Sequence, residues 1–335
     1  MNLVLGMLMM AASVGPVEPE MRVATLSPDQ KLLAVGDTRG SIYLIDLPQG
    51  TIRNRIILKH PFPIDWVSFS PSGRYLCASA FWSILVPEDN ISGEMVVFDL
   101  KASKEKSRFM TENSIRGCDF LPGEDGLAVI GEEELYTVTL DCKVQDKIKH
   151  KLQLAIDFLV VEGKQPVVRF ADDRDLTIWE PKKKSVETIP ISFPDKRLLM
   201  IDLRLNRILY YEHDRKLASC RLPLNRKEKA IFTQIDWDDR YFAWPKAQMS
   251  KDGKNLYVAV SGKDGESPKV VQWNCANKKC VGEFRRNDKL HITLFVVSDN
   301  LIILTSANKK IEFWNKTTGE LQKIVDLDDF EGKKL

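Results

Sequence analysis

The chain has 335 residues, with 49 Lys and Arg against 47 Asp and Glu, a formal charge of +2 at pH 7. Hydrophobic residues at 44% and charged residues at 29% are the proportions of a globular protein that can bury a core. The near balance of charge removes any bulk field that would draw the chain to nucleic acid or an acidic membrane. The length fits two average domains or one large closed β-structure.

Residues 1–20 stand apart as an N-terminal apolar segment. Leu3 to Ala12 is an unbroken apolar run, too short to span a bilayer but as long as the apolar centre of a signal peptide. Ala11-Ala12-Ser13 is an acceptable cleavage context, yet no Lys or Arg precedes the run, and a strand or a remnant of a longer chain would read the same way. Cytoplasmic and exported locations both stay open, and no stable transmembrane span is expected.

From residue 21 a unit recurs: an apolar segment, a turn with Ser-Pro or Asp-Gly, then a second apolar segment. Its clearest copies are Val23 to Asp29, Val67 to Gly73 and Met249 to Gly253, followed by Leu32–Val35, Tyr75–Ala78 and Leu256–Val260. Proline sets φ at the second turn position, and Asp and Gly accept the tight backbone that follows. A second unit is an alternating strand that ends on an apolar or aromatic residue and then a polar one. In chain order it ends at Ile45-Asp46, Phe98-Asp99, Val138-Thr139, Trp179-Glu180, Cys220-Arg221, Trp273-Asn274 and Trp314-Asn315. The separations are 53, 40, 41, 41, 53 and 41 residues. A period of about 40 to 45 residues with four short strands per unit is the signature of a β-propeller. The predicted first unit has strands at Val23–Leu26, Leu32–Val35, Ile42–Ile45 and Ile52–Ile57. The last unit runs from Ile292 to Val325 with its own fourth strand near Leu321.

The stretch from His60 through Ile64 to Val67-Ser68-Phe69-Ser70-Pro71-Ser72-Gly73 resembles the opening of a WD40 repeat. Phe98-Asp99, Trp179-Glu180, Trp273-Asn274 and Trp314-Asn315 resemble the family's Trp-Asp ending. Asp252 to Val258 is also similar to the repeats of lactonase-like and quinoprotein-like propellers, so the wider superfamily is the level of the resemblance. It implies an all-β, seven-bladed propeller of four-stranded antiparallel blades over residues 21–326, followed by a polar tail at 327–335. It would place His60 in the family's buried His slot. No repeat has a literal Gly-His or Trp-Asp pair, and the third and fifth lack both an aromatic and an acidic residue at the pair.

The two long separations locate extra residues at Phe81–Gly93, between the second and third strands of repeat two, and at Pro223–Tyr241 and Ser261–Pro268. In WD40-like propellers the connections read here, second-to-third strand and fourth-to-first, share one face, where insertions carry function. Phe81, Trp82, Trp237 and Arg240 are the candidate partner-binding residues, because aromatic anchors with an Arg make interface hot spots. Trp66, Phe242 and Trp244 lie in or beside strands and are assigned to packing.

Catalytic motifs are missing: there is no Gly-rich phosphate loop, nucleophile elbow or zinc-protease helix motif. His60, His150, His213 and His291 are far apart, and the first two fall near repeat starts, where a structural role fits. Asp172-Asp173-Arg174-Asp175 and Asp236-Trp237-Asp238-Asp239 lack calcium-loop spacing and read as polar loop tips. Lys182-Lys183-Lys184 and Lys101 to Arg108 read as solvated hairpin tips. Cys77, Cys118 and Cys220 read as buried thiols, while Cys275 and Cys280 flank a turn and are open to either a cross-strand disulfide or two thiols. The expectation is a non-catalytic protein–protein interaction platform, a monomeric ring within a larger assembly, without cofactor, metal or nucleic acid. The competing reading is a lactonase-like or quinoprotein-like enzyme with a site at the channel mouth.

Overall fold

The computed structural model of the protein describes residues 20–60, 62–81, 92–150, 158–162, 167–171, 175–190, 197–202, 207–211, 217–221, 230–231, 247–260, 267–286, 288, 290–306 and 308–331. These residues form seven four-stranded sheets in which consecutive strands pair antiparallel. Sheet 1 holds β1 (Met21–Leu26), β2 (Leu32–Asp37), β3 (Ser41–Asp46) and β4 (Thr51–Ile57). Sheet 2 holds β5 (Ile64–Phe69), β6 (Tyr75–Phe81), β7 (Gly93–Asp99) and β8 (Lys104–Thr111). Sheet 3 holds β9 (Ile115–Phe120), β10 (Gly126–Gly131), β11 (Glu134–Thr139) and β12 (Val144–Lys149). Sheet 4 holds β13 (Phe158–Glu162), β14 (Val167–Ala171), β15 (Asp175–Glu180) and β16 (Ser185–Pro190). Sheet 5 holds β17 (Arg197–Asp202), β18 (Arg207–Tyr211), β19 (Leu217–Arg221) and β20 (Ala230–Ile231). Sheet 6 holds β21 (Ala247–Met249), β22 (Asn255–Val260), β23 (Lys269–Asn274) and β24 (Lys279–Arg285). Sheet 7 holds β25 (Ile292–Val297), β26 (Leu301–Ser306), β27 (Lys310–Asn315) and β28 (Leu321–Asp326), and a single helical turn, α1 (Asp328–Glu331), follows.

All seven apolar–polar pairs named from the sequence are the last two residues of the third strand of their sheet. The Ser-Pro and Asp-Gly turns are the first-to-second-strand turns, and their chemistry repeats atom for atom. The Ser27 hydroxyl donates to Asp29 Oδ1 at 2.6 Å and accepts from Leu32 N at 2.9 Å. The Ser250 hydroxyl does the same with Asp252 and Asn255, at 2.6 and 2.9 Å. A β-bulge interrupts the first strand after its first or second residue in sheets 1, 2, 3, 5 and 7. Sheets 3 and 5, whose sequence pairs had drifted furthest, thus keep the backbone of the repeat.

The core lies between sheets. The second strands β2, β10 and β26 are buried at every residue, which explains the apolar runs Leu32–Val35, Leu127–Ile130 and Leu301–Leu304 they carry. Leu33 and Val35 of β2 pack with Leu294, Val296, Ile303 and Phe313 of sheet 7. Leu32 and Ala34, on the other face of β2, pack with Ile64, Leu76 and Val96 of sheet 2. Similar clusters join sheets 2 and 3, 3 and 4, 5 and 6, and 6 and 7. Sheets 1 and 2 approach so closely that a Cβ on Gly36 would lie 2.6 Å from Ile64 Cγ2. Fourth strands are the exposed edge: β12 has no buried residue, and Ile57, Val144, Val281 and Ile324 of such strands stand largely in solvent.

One expectation needs correction, and one open alternative is decided. Pro223–Tyr241 is not one connection, because β20 lies inside it and pairs with Ala218 and Ser219. Its excess residues are divided between a third-to-fourth-strand link and the link to sheet 6, which leave opposite edges of the sheet. The polar run Asn225 to Lys229 in front of a two-residue strand hid this in the sequence. No disulfide joins Cys275 and Cys280: the bulged register places Cys280 opposite Trp273, and Cys275 lies beyond the end of β23. Among the described residues no helix is long and apolar enough to cross a membrane.

Phe313 is 1% exposed in the cluster shared by sheets 7 and 1. Phe313→Ala should destabilise the protein by about 3–5 kcal/mol, since the cavity opens where two sheets meet. Urea unfolding followed by tryptophan fluorescence checks this; a loss below about 1 kcal/mol would show that the first and last sheets do not support each other.

Candidate functional site

In a sheet with this strand order, the first-to-second and third-to-fourth turns share one edge, and the other connections share the opposite edge. At the second edge buried charges tie sheets 2 and 7 to the connections before them. His60, stacked on Phe62, meets Glu94 of β7 at 3.1 Å between Nδ1 and Oε2, and Arg108 of β8 also pairs with Glu94. Glu94 is fully buried. The partner of His60 is thus a buried glutamate on the third strand of the sheet that follows it. Arg286 plays the corresponding part before sheet 7: it is 2% exposed and pairs with Asp288 at 2.7 Å and Glu312 at 3.2 Å. Trp314 Nε1 donates to Glu312 at 3.0 Å. Removing one member of such a pair strands a buried charge, so these clusters hold connections in place.

The bulges put Arg22, Asp65 and Arg116 at the same second position of β1, β5 and β9. Arg22 reaches Asp65 at 2.7 Å, and Arg116 reaches Glu132 at 3.5 Å. Burial pushes the Asp65 carboxyl up to about 6, while Arg22 and Arg116 pull the other way with smaller effect. Asp119 of β9 is pushed up to about 6 by the same cause, against the 2.6 Å hydrogen bond it accepts from Ser68.

At the first edge the ends of β1, β21 and β25 enclose a cleft of about 810 Å³, within the range of ligand pockets. Its walls are the turn serines Ser27, Ser250 and Ser298, with Phe295 and Val297 behind them. Gln248 Oε1 accepts from Val297 N at 3.0 Å, and Gln30 Oε1 accepts from Asp299 N at 2.7 Å. Lys316 donates to the Ser298 carbonyl at 3.0 Å, with its ammonium 5.8 Å from the Tyr257 ring centre.

Of the candidate partner-binding residues, Trp82, Trp237 and Arg240 lie outside the described residues, as do Phe242 and Trp244. Phe81 is described in its backbone, which ends β6 opposite Gly93. Trp66 is half-buried and packs against the clusters between sheets 2 and 3 and sheets 3 and 4. His150 makes an edge contact with Phe170, 5.9 Å between ring centres, in keeping with a structural role. His213, Asp172 to Arg174 and Asp236 to Asp239 lie outside the described residues. Lys182 and Lys183 belong to a 3-10 turn between β15 and β16 with Lys184 at φ 53°, and all three are exposed. Cys77 and Cys118 are buried thiols with sulfurs 3.4 Å apart across sheets 2 and 3. The cleft was not read from the sequence. Its turns were visible, but nothing in the sequence showed that side chains from the turns of sheets 1, 6 and 7 leave a cleft where they meet.

No protein-family model and no curated protein matches the sequence. Among solved structures 1687 chains match. One, titled "Structure of U3-55K", superposes with a TM-score of 0.61 at 12% identity, covering 88% of this chain and 90% of that one. The likeness concerns the fold alone, that of an all-β chain of four-stranded antiparallel sheets.

The raised carboxyls have a consequence for stability. Asp65 and Asp119 each have a folded pKa of about 6, above the value of about 4 in an unfolded chain. Folding therefore takes up protons between about pH 4 and 6, and stability rises as pH falls through that window. Lowering pH from 7 to 5 should add about 1 kcal/mol per group, read as a higher urea midpoint, and Asp65→Asn should remove about half of the gain. An unchanged or lower midpoint at pH 5 would refute burial as the dominant influence.

Proposed function

We propose that the seven sheets are the blades of one closed WD40-like propeller spanning residues 21–326, and that the protein is a non-catalytic platform for protein–protein interaction. In this reading the face carrying the second-to-third and fourth-to-first connections meets the partner around sheets 2 and 6. Phe81, Trp82, Trp237 and Arg240 are the contact residues. The observation that carries the platform reading is the placement of the ionisable groups. The buried charges are all engaged, Glu94 with His60 and Arg108 and Arg286 with Asp288 and Glu312, an arrangement that stiffens the connections before sheets 2 and 7. A rigid scaffold with long connections at one edge suits recognition, because little ordering entropy is lost on binding. The fold alone would not select this function, since the same architecture hosts enzymes.

The partner is a protein of unspecified identity, and the ring acts as a monomer within the assembly. Residues 1–20 are a separate apolar segment in this reading, and 327–335 a polar tail that begins by docking: Leu327 is 1% exposed and Lys309 bonds Asp328 at 2.5 Å.

Full-length protein carrying Trp82→Ala and Trp237→Ala should keep the wild-type urea midpoint and lose at least tenfold in partner affinity in quantitative affinity capture. Folded double variant that captures the same stoichiometric partner undiminished would defeat the assignment of this face.

A further inference from the structure

The cleft between the ends of β1, β21 and β25 lies at the edge opposite the proposed partner face, and its chemistry is lopsided toward donors. Gln30 and Gln248 each spend their carbonyl oxygen on the backbone N–H of Asp299 and Val297. Among the described residues their amide N–H groups have no protein acceptor. A glutamine held through its oxygen presents two donors in a fixed orientation.

Charge adds a second asymmetry. Asp252 is engaged by the Ser250 hydroxyl, the backbone of Lys254 and the Lys254 ammonium at 3.5 Å, and these contacts hold its carboxyl below the usual range. Lys251 and Lys316 line the cleft with no carboxylate partner among the described residues. Lys316 is half-buried and pinned by the Ser298 carbonyl and the Tyr257 ring, so its charge is placed at low further entropy cost. Two ammonium groups therefore stand against one unengaged carboxylate, that of Asp299.

We propose that this cleft binds an acidic peptide segment of a partner protein in extended form. The two glutamine amides donate to peptide carbonyls, and Lys251 and Lys316 receive an Asp or Glu side chain. Amide donors paired with fixed cations match a polypeptide that carries a carboxylate, and the volume of about 810 Å³ admits a short segment but not a folded domain. Charge-assisted hydrogen bonds in a partly buried cleft are the stronger kind. This site is independent of Trp82 and Trp237 and would serve as a second contact on the other face.

The test uses the full chain and fluorescein-labelled, capped hexapeptides that alternate Ala with Glu, Gln or Lys, followed by fluorescence anisotropy at 0.15 M salt. The Glu peptide should bind saturably and at least tenfold tighter than the Gln or Lys peptide. Lys251→Glu, on an exposed side chain that folding does not need, should weaken it severalfold. The Lys251→Glu, Lys316→Glu double variant should reverse the preference toward the Lys peptide. The Trp82→Ala, Trp237→Ala variant should bind the Glu peptide as wild type does, which separates failure here from failure of the platform face. Equal binding of the three peptides, no saturable binding, indifference to Lys251→Glu, or full displacement by an equal concentration of succinate would each overturn the proposal. The last outcome would mean a site for small carboxylates.

Discussion

Among the described residues, sheets 1, 2, 3, 6 and 7 are apolar on both faces, and that constraint dictates the rest. A four-stranded sheet whose second strand reads Leu-Leu-Ala-Val or Leu-Ile-Ile-Leu cannot bury both faces alone; it needs a neighbour on each side. Leu33 and Val35 therefore find sheet 7 while Leu32 and Ala34 find sheet 2. The contact between the first and last sheets is of the same kind as the contacts between sequence neighbours. Asp299 N donating to Gln30 and Lys323 reaching the Gln49 carbonyl add polar stitches across that seam.

Polar chemistry is arranged around this apolar frame. At one edge, buried pairs such as His60 with Glu94 and Arg286 with Glu312 fix the incoming connection of a sheet. At the other edge, serine hydroxyls close tight turns, and where three such turns converge the cleft opens. The first strands carry the titratable residues whose ionisation burial opposes, Asp65 and Asp119.

Much of the fold was legible in the sequence because the repeat is written in turn chemistry and strand period. The pairs from Ile45-Asp46 to Trp314-Asn315 end third strands even where the aromatic is missing, since Val138 and Cys220 still fill an apolar position before a polar end. Reading failed where the local signal was weak. β20 has two residues after a charged run and was taken for a loop. The proximity of Cys275 and Cys280 in sequence suggested facing side chains, but a bulge at Trp273 shifts the register by one residue, and one residue moves a side chain to the other face.

The sequence by itself determined the period, the turn positions and the ends of the third strands, because turn residues and strand alternation are local signals whose recurrence can be counted along the chain. Only the tertiary structure decided which side chains meet across the sheets. It brought residues of sheet 1 against those of sheets 6 and 7, some 220 to 290 positions away, and so made a cleft from Gln30, Gln248 and Lys316. It also gave His60 a glutamate partner thirty-four residues on. Such encounters depend on how the sheets pack face to face, a property of summed apolar surface that no local stretch encodes.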